Sequence, residues 1–143
     1  MAMIKVLVVD DNRVNLQIAE EMLSGEYRLK FAMNAAEAIE SASRFHPRIV
    51  LLDVMLPDAD GLTVCRRLRR LPGMSDAAII MVSAKAMPSE QAEGLSAGAD
   101  EYITKPFDEG ELIEVLRQYA HERPEGATCP SDDLRNAKGL AAY

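Results

Sequence analysis

Two carboxylates in a row close an apolar run: "VLVVDD", residues 6–11, ends on Asp10 and Asp11. Adjacent carboxylates repel, so the pair must be solvated, turned apart or neutralised by a positive group. A second run, "IVLLDV", carries Asp53 at its end. Three carboxylates meeting in one crevice make an oxygen-rich, anionic pocket suited to a hard divalent ion such as Mg2+. Two further runs end on groups able to hold the oxygens of a tetrahedral phosphoryl group: the hydroxyl of Ser83 in "IIMVSAK" and the ammonium of Lys105 in "YITKPF". Taken singly, each residue has a plainer explanation. Asp11 suits a helix cap, Ser83 a cap or turn, and Lys105 a solvated surface. Those alternatives stay open residue by residue; together they require several coincidences at one edge of a fold.

The elements that must position these groups follow from hydrophobic periodicity. Short apolar runs at Val6–Val9, Leu29–Ala32, Ile49–Leu52, Ala78–Val82 and, more weakly, Tyr102–Ile103 alternate with longer stretches repeating at three and four. That alternation predicts an α/β fold with a parallel sheet covered by helices on both faces. Val14, Ile18 and Met22 share one helical face and are expected to be the buried stripe of the first helix, with Gly25 as its stop. Ala35, Ala38, Ile39 and Ala42 make the second stripe, ended near His46 by Pro47. Leu62, Cys65 and Leu68 make the third, flanked by Val64 and Leu71 and stopped by Pro72 and Gly73. A weaker fourth helix spans 89–97, with Ala92 and Leu95 expected inward and Gly98 at its end. Asp108 and Glu111 form a capping-box pattern for a fifth helix that buries Leu112, Val115, Leu116 and Tyr119.

Five βα units with right-handed crossovers bring the carboxyl ends of the strands, and the loops that follow them, to a common edge. With strand order 2-1-3-4-5, winding reverses between strands one and three, and the crevice there is the expected binding site. Asp10, Asp11 and Asp53 all belong to it.

The ordered set "VDD" at 9–11, "LLDVMLPDADG" at 51–61, "VSA" at 82–84 and "AGADEYITKPF" at 97–107 resembles the receiver domain of two-component response regulators. The resemblance runs from about Ile4 to Tyr119. It implies a flavodoxin-like phosphorylation switch that catalyses only its own aspartyl phosphorylation and dephosphorylation. Asp53 would accept the phosphoryl group from a phosphohistidine on a histidine kinase or histidine phosphotransfer protein. Mg2+ (or Mn2+) would be held by Asp11, Asp53 and the backbone carbonyl of Met55, with Asp10 contributing directly or through water. Lys105 and Ser83 would each take a phosphate oxygen. The bond from Lys105 to Pro106 is typically cis in this family, which aims the lysine inward. Ser83 and Tyr102 would form the switch, changing the face made by helix four, strand five and helix five. Met55 and Lys85 stand where the family tunes the lifetime of the phosphorylated form. Asp60 is read as the cap of helix three, and Asp58 and Asp60 are assigned no chemistry.

Composition limits the wider function. The 143 residues carry a net charge of −7, which argues against binding nucleic acid through its phosphates. No apolar run approaches the roughly 20 residues that span a bilayer. Cys65 and Cys129 form no CxxC pattern, so free thiols in a reducing cytoplasm are expected. His46 and His121 have no ligand partners at metal spacing, and Arg66, Arg67, Arg69 and Arg70 read as a solvated helix face. Residues 1–122 form the expected domain, and 123–143 read as a linker or loose tail. Output is expected through a downstream protein or an output domain elsewhere, with a phosphorylation-dependent homodimer as an open alternative. The competing readings are a Mg2+-dependent phosphatase or phosphotransferase using an aspartyl-phosphate, and a receiver-like partner-binding domain that takes no phosphate.

Overall fold

Apolar side chains at consecutive positions suit strands buried on both sides, and the chain uses them so. The computed structural model describes residues 4–84, 87–105 and 108–121. Within them the order is β1 (Ile4–Val9), α1 (Arg13–Leu23), β2 (Tyr27–Ala32), α2 (Ala35–Phe45), β3 (Ile49–Asp53), α3 (Gly61–Arg70), β4 (Ala78–Ser83), α4 (Pro88–Ser96), β5 (Glu101–Thr104) and α5 (Glu109–His121). The strands form one parallel sheet in the order β2-β1-β3-β4-β5. This is the flavodoxin-like arrangement that the alternating pattern predicts. The notional tail, 123–143, lies outside the described residues, as do Cys129, Lys85 and Pro106.

Alternation along each strand splits the core in two. Leu7, Val9, Val50, Leu52, Ile79 and Met81 face α2, α3 and α4. Val6, Val8, Ile49, Leu51, Ile80 and Val82 face α1 and α5. Each fully buried Leu or Ile contributes roughly 1.5–3 kcal/mol relative to exposure. β2 is an edge strand, and its Arg28 and Lys30 are exposed, which keeps that edge from pairing with other chains.

Two helical faces differ from expectation. On α1 the buried residues are Leu16, Ala19 and Leu23, whereas Val14 is 62% and Ile18 48% exposed and Met22 is half-buried. Both stripes on α1 have helical spacing, and the sheet takes the one that points at β1 and β3. On α4, Ala92 and Leu95 face solvent, and the buried positions are Gly94 and, just past the helix, its C-cap Ala97. The reason lies in β5: the ring of Tyr102 and the sulfur of Met81 already fill the space beneath the helix, so only a residue without a side chain fits at Gly94. The other helices follow the pattern. Asn34 caps α2, which ends at His46 in a left-handed conformation with φ 52°. Asp60 caps α3, and Asp108 accepts from the Glu111 N–H at 2.7 Å at the start of α5.

The basic run on α3 is not uniformly solvated. Arg69 reaches under the sheet, where its Nε and Nη2 donate to the Gly98 carbonyl at 2.9 and 2.7 Å and Nη2 pairs with Asp100 at 2.5 Å. Its Nη1 donates to the Ala77 carbonyl. Asp100 also accepts from the Ile79 N–H at 2.9 Å, so one arginine ties α3 to the starts of β4 and β5.

Candidate functional site

The strands end where the chemistry begins. Asp10 follows β1, Asp53 is the last residue of β3, Ser83 the last of β4, and Lys105 follows β5. Because the four strands are parallel and adjacent, these residues line one rim. Asp10, Asp11 and Asp53 can each offer a carboxylate oxygen within 4.8 Å of the others. The Nζ of Lys105 lies 3.4 Å from Asp53 Oδ2 and 3.5 Å from Asp10 Oδ2. Three carboxylates against one ammonium leave two negative charges, the amount a divalent cation would cancel. The structure thus brings together four of the residues expected at the site. Ser83 is buried one position beyond Val82, the register partner of Asp53, and its carbonyl accepts from the Lys105 N–H at 2.7 Å.

Local structure orients each carboxylate. The plainer reading of Asp11 as a helix cap does not hold, because Asn12 takes that position and accepts from the N–H groups of Val14 and Asn15 at 2.8 and 3.3 Å. Asp11 is left exposed at the mouth of the site. Asp10 is buried, and its oxygens accept from the Asn12 N–H at 2.9 Å and the Asn15 amide at 3.1 Å. Asp53 is also buried; its Oδ1 accepts from the Met55 N–H at 2.9 Å, while Oδ2 faces Lys105. Burial pushes the Asp53 carboxyl above its ordinary range, opposed by the Met55 N–H and the Lys105 charge and assisted by neighbouring Asp10.

Two walls complete the site. Among the described residues, a cavity of about 590 Å³ opens beside Asp53 and Lys105 and runs down against Val8, Ile18, Ala19, Met22, Leu51 and Leu112. On the other side lies the β3–α3 loop. Its Met55 is 59% exposed and forms an isolated bridge with Asp60, while the Gly61 N–H donates to the Val54 carbonyl at 2.6 Å. A Cβ on Gly61 would come within 2.6 Å of Val54 Cα and 2.9 Å of the Asp53 carbonyl oxygen, so the loop closes this tightly only around glycine.

Tyr102 stands apart from the carboxylates, half-buried on β5 opposite Met81 and packed on the α4 side of the sheet. Lys85 and Pro106, named from the sequence as lifetime-tuning and cis-proline positions, fall outside the described residues. Sequence reading missed Asn12, Asn15 and Asp58. Asn12 and Asn15 sit three apart at the start of a helix, a spacing that signals an amide cap and a neighbour on the same face. Asp58 carries no local signal, for its partners are the Ala35 and Ala36 N–H groups of another helix.

Comparison with known proteins identifies the family and the fold. The family model described as the response regulator receiver domain matches residues 6–117. The chain is 37% identical over 114 residues to response regulator PleD of Caulobacter vibrioides, covering 79% of this chain and 25% of that protein. It is 40% identical over 114 residues to response regulator MprA of Mycobacterium leprae, covering 79% and 49%. The chain therefore spans between a quarter and a half of these relatives. Among solved structures, the receiver domain of sensor histidine kinase PA1611 from Pseudomonas aeruginosa, which has a magnesium ion coordinated in its active-site cleft, superposes with a TM-score of 0.76 at 32% identity, covering 82% of this chain and 98% of that one. The BeF3-activated DrrB receiver domain gives 0.77 at 29%, covering 82% and 97%. With the family model covering residues 6–117 and the sheet in the order β2-β1-β3-β4-β5, the chain belongs to the response regulator receiver domain family.

Proposed function

We propose that Asp53 is the phosphoacceptor of a two-component or phosphorelay switch. A carboxylate oxygen of Asp53 attacks the phosphorus of a partner's phosphohistidine, a P–O bond forms as the P–N bond breaks, and the imidazole leaves. The observation that carries this reading is the convergence of Asp10, Asp11 and Asp53 within 4.8 Å, with Lys105 at 3.4 Å from the acceptor. The carboxylate oxygens of Asp10, Asp11 and Asp53 fit Mg2+; Asp11, Asp53 and the Met55 carbonyl would hold the ion, with Asp10 contributing directly or through water. When bound, the ion supplies charge neutralisation to the transferring phosphoryl oxygens.

The protein's own groups do the positioning. The Met55 N–H fixes one Asp53 oxygen and the Lys105 ammonium faces the other, so the carboxylate plane is set before a phosphoryl group arrives. Lys105 then pairs with a phosphoryl oxygen, and the Ser83 hydroxyl takes another. That inward pull on Ser83 favours a buried Tyr102 and alters the face of α4, β5 and α5. The catalysis is confined to the domain's own aspartyl phosphate.

The phosphodonor would be a histidine kinase or histidine phosphotransfer protein acting in the cytoplasm. Exposed Val14 and Ile18, on the helix that begins at the carboxylates, give such a donor an apolar footing beside Asp53. Output passes to a downstream protein or to a domain elsewhere.

Incubation with acetyl phosphate and Mg2+, followed by intact-mass measurement, tests the reading. One added phosphoryl group on the protein, absent from Asp53→Asn and absent without Mg2+, is the expected result. No addition from acetyl phosphate or from a phosphohistidine donor would leave a receiver-like domain that takes no phosphate.

A further inference from the structure

The β3–α3 loop, residues 54–60, carries Met55 past the carboxylates and is pinned at both ends. At its start the Met55 N–H is held by Asp53, and at its close the Gly61 N–H is held by the Val54 carbonyl. Its middle is tied to a different element. Asp58 Oδ1 accepts from the Ala35 N–H at 2.7 Å and Oδ2 from the Ala36 N–H at 3.1 Å, 23 and 22 residues away in sequence. These are first-turn donors of α2, which the helix cannot satisfy itself. Yet α2 already has its own cap: Asn34 accepts from the Glu37 N–H at 2.8 Å. The carboxylate of Asp58 therefore ties the β3–α3 loop to the first turn of α2, in addition to that helix's own cap. The two donors hold its carboxyl below the ordinary range.

We propose that Asp58 is a positioning residue for the metal site, bracing the β3–α3 loop against the amino end of α2 so that the Met55 carbonyl stands ready for the ion. The inference rests on the reading of that carbonyl as a ligand. A bidentate carboxylate on two consecutive N–H groups restrains direction as well as distance, which a single hydrogen bond does not. Loss of the brace frees the loop between Met55 and Asp60, and the ion must then order it on binding.

The test is Mg2+ titration of the full chain, followed by amide NMR shifts, for the wild type, Asp58→Ala, Asp58→Asn and Asn34→Ala, with thermal unfolding of each. Asp58→Ala is expected to weaken Mg2+ binding about tenfold, in the range that supporting contacts to metal ligands command. Asp58→Asn keeps one acceptor oxygen and is expected to fall between it and the wild type. Asn34→Ala removes the local cap and lowers the melting temperature, but should keep wild-type Mg2+ affinity. Should Asp58→Ala fail to fold, Asp58→Asn against Asn34→Ala carries the same comparison. Wild-type affinity in both Asp58 variants, or an equal loss in Asn34→Ala, overturns the proposal while leaving the phosphoacceptor reading intact. A wild type that binds no Mg2+ removes the metal reading and this proposal with it.

Discussion

The ring of Tyr102 occupies the space that a side chain on Gly94 would need. A Cβ there would lie 2.8 Å from Tyr102 Cδ2 and 2.9 Å from Met81 Sδ. Alanine normally gains nearly 1 kcal/mol over glycine inside a helix, but overpacking a fitted contact costs about 1–3 kcal/mol. Gly94→Ala is therefore expected to destabilise by about 1 kcal/mol. Adding Tyr102→Leu should recover part of the loss. A double-mutant cycle in urea reads the coupling, and a Gly94→Ala variant at least as stable as the wild type would refute the steric account.

Gly61→Ala meets backbone rather than a ring, at Val54 Cα and the Asp53 carbonyl, and neither can swing aside. A loss of about 2–3 kcal/mol is expected from urea unfolding. Because the displaced peptide adjoins Asp53, the proposed phosphoacceptor, phosphoryl uptake from acetyl phosphate should slow as well. Normal stability together with normal uptake would count against the tight closure.

The arginines of α3 should separate sharply under mutation. Arg69→Ala removes the ion pair with Asp100 and the donors that Arg69 supplies to the Ala77 and Gly98 carbonyls, for a loss of about 3 kcal/mol. Arg69→Lys keeps the charge but not the planar fork and should recover little. Exposed Arg66→Ala should stay within about 0.5 kcal/mol. Chemical denaturation of the three variants decides it; equal effects at Arg66 and Arg69 would return the whole run to solvent.

Stability should respond to acid through two loop carboxylates. Asp58 is held low by the Ala35 N–H and further by that of Ala36, and Asp60 by the Thr63 N–H. A carboxylate depressed in the folded state stabilises above its unfolded pKa, about 3.9, and loses that contribution as pH falls through its folded value. Melting temperatures from pH 6 downward should thus drop less steeply in Asp58→Asn/Asp60→Asn than in the wild type. Parallel curves would show that neither group is linked to folding.

Asp53 carries the opposite sign. Burial raises its pKa, so its contribution is full below the unfolded value and is lost as pH rises through the folded one. Without Mg2+ at pH 7, Asp53→Asn should therefore melt above the wild type, and the gap should close below about pH 4. A variant that melts lower at neutral pH would mean that the Lys105 pairing outweighs burial.

Most of the site was legible because the strands announce their own ends. Asp10, Asp53 and Ser83 each follow an uninterrupted apolar run, Lys105 follows the weaker Tyr102–Ile103 after Thr104, and a parallel sheet leaves their order along one rim little freedom. The helices were harder. On α1 the triplets Val14–Ile18–Met22 and Leu16–Ala19–Leu23 are both apolar, and periodicity alone cannot say which one the sheet takes. On α4 the inward residue is a glycine, which hydrophobic patterning does not register, because the volume is supplied by Tyr102 from another element. Arg69 lies beside Leu68 and four residues after Cys65, on the flank of the buried stripe, which distinguishes it from Arg66 and Arg67 once the stripe is drawn. Asp58 and its α2 partners are too far apart in sequence for any local rule to join.

The Arg69 staple also has a bearing on how the domain can change over time. It gathers the starts of β4 and β5, while the carboxylates and Lys105 gather at the strand ends. The strands between them are the shared part. Durability and chemistry are thus vested in opposite poles of the same sheet. A substitution in the loops around Asp53 can reshape the site while the hydrogen bonds of Arg69 at the far pole stay as they are.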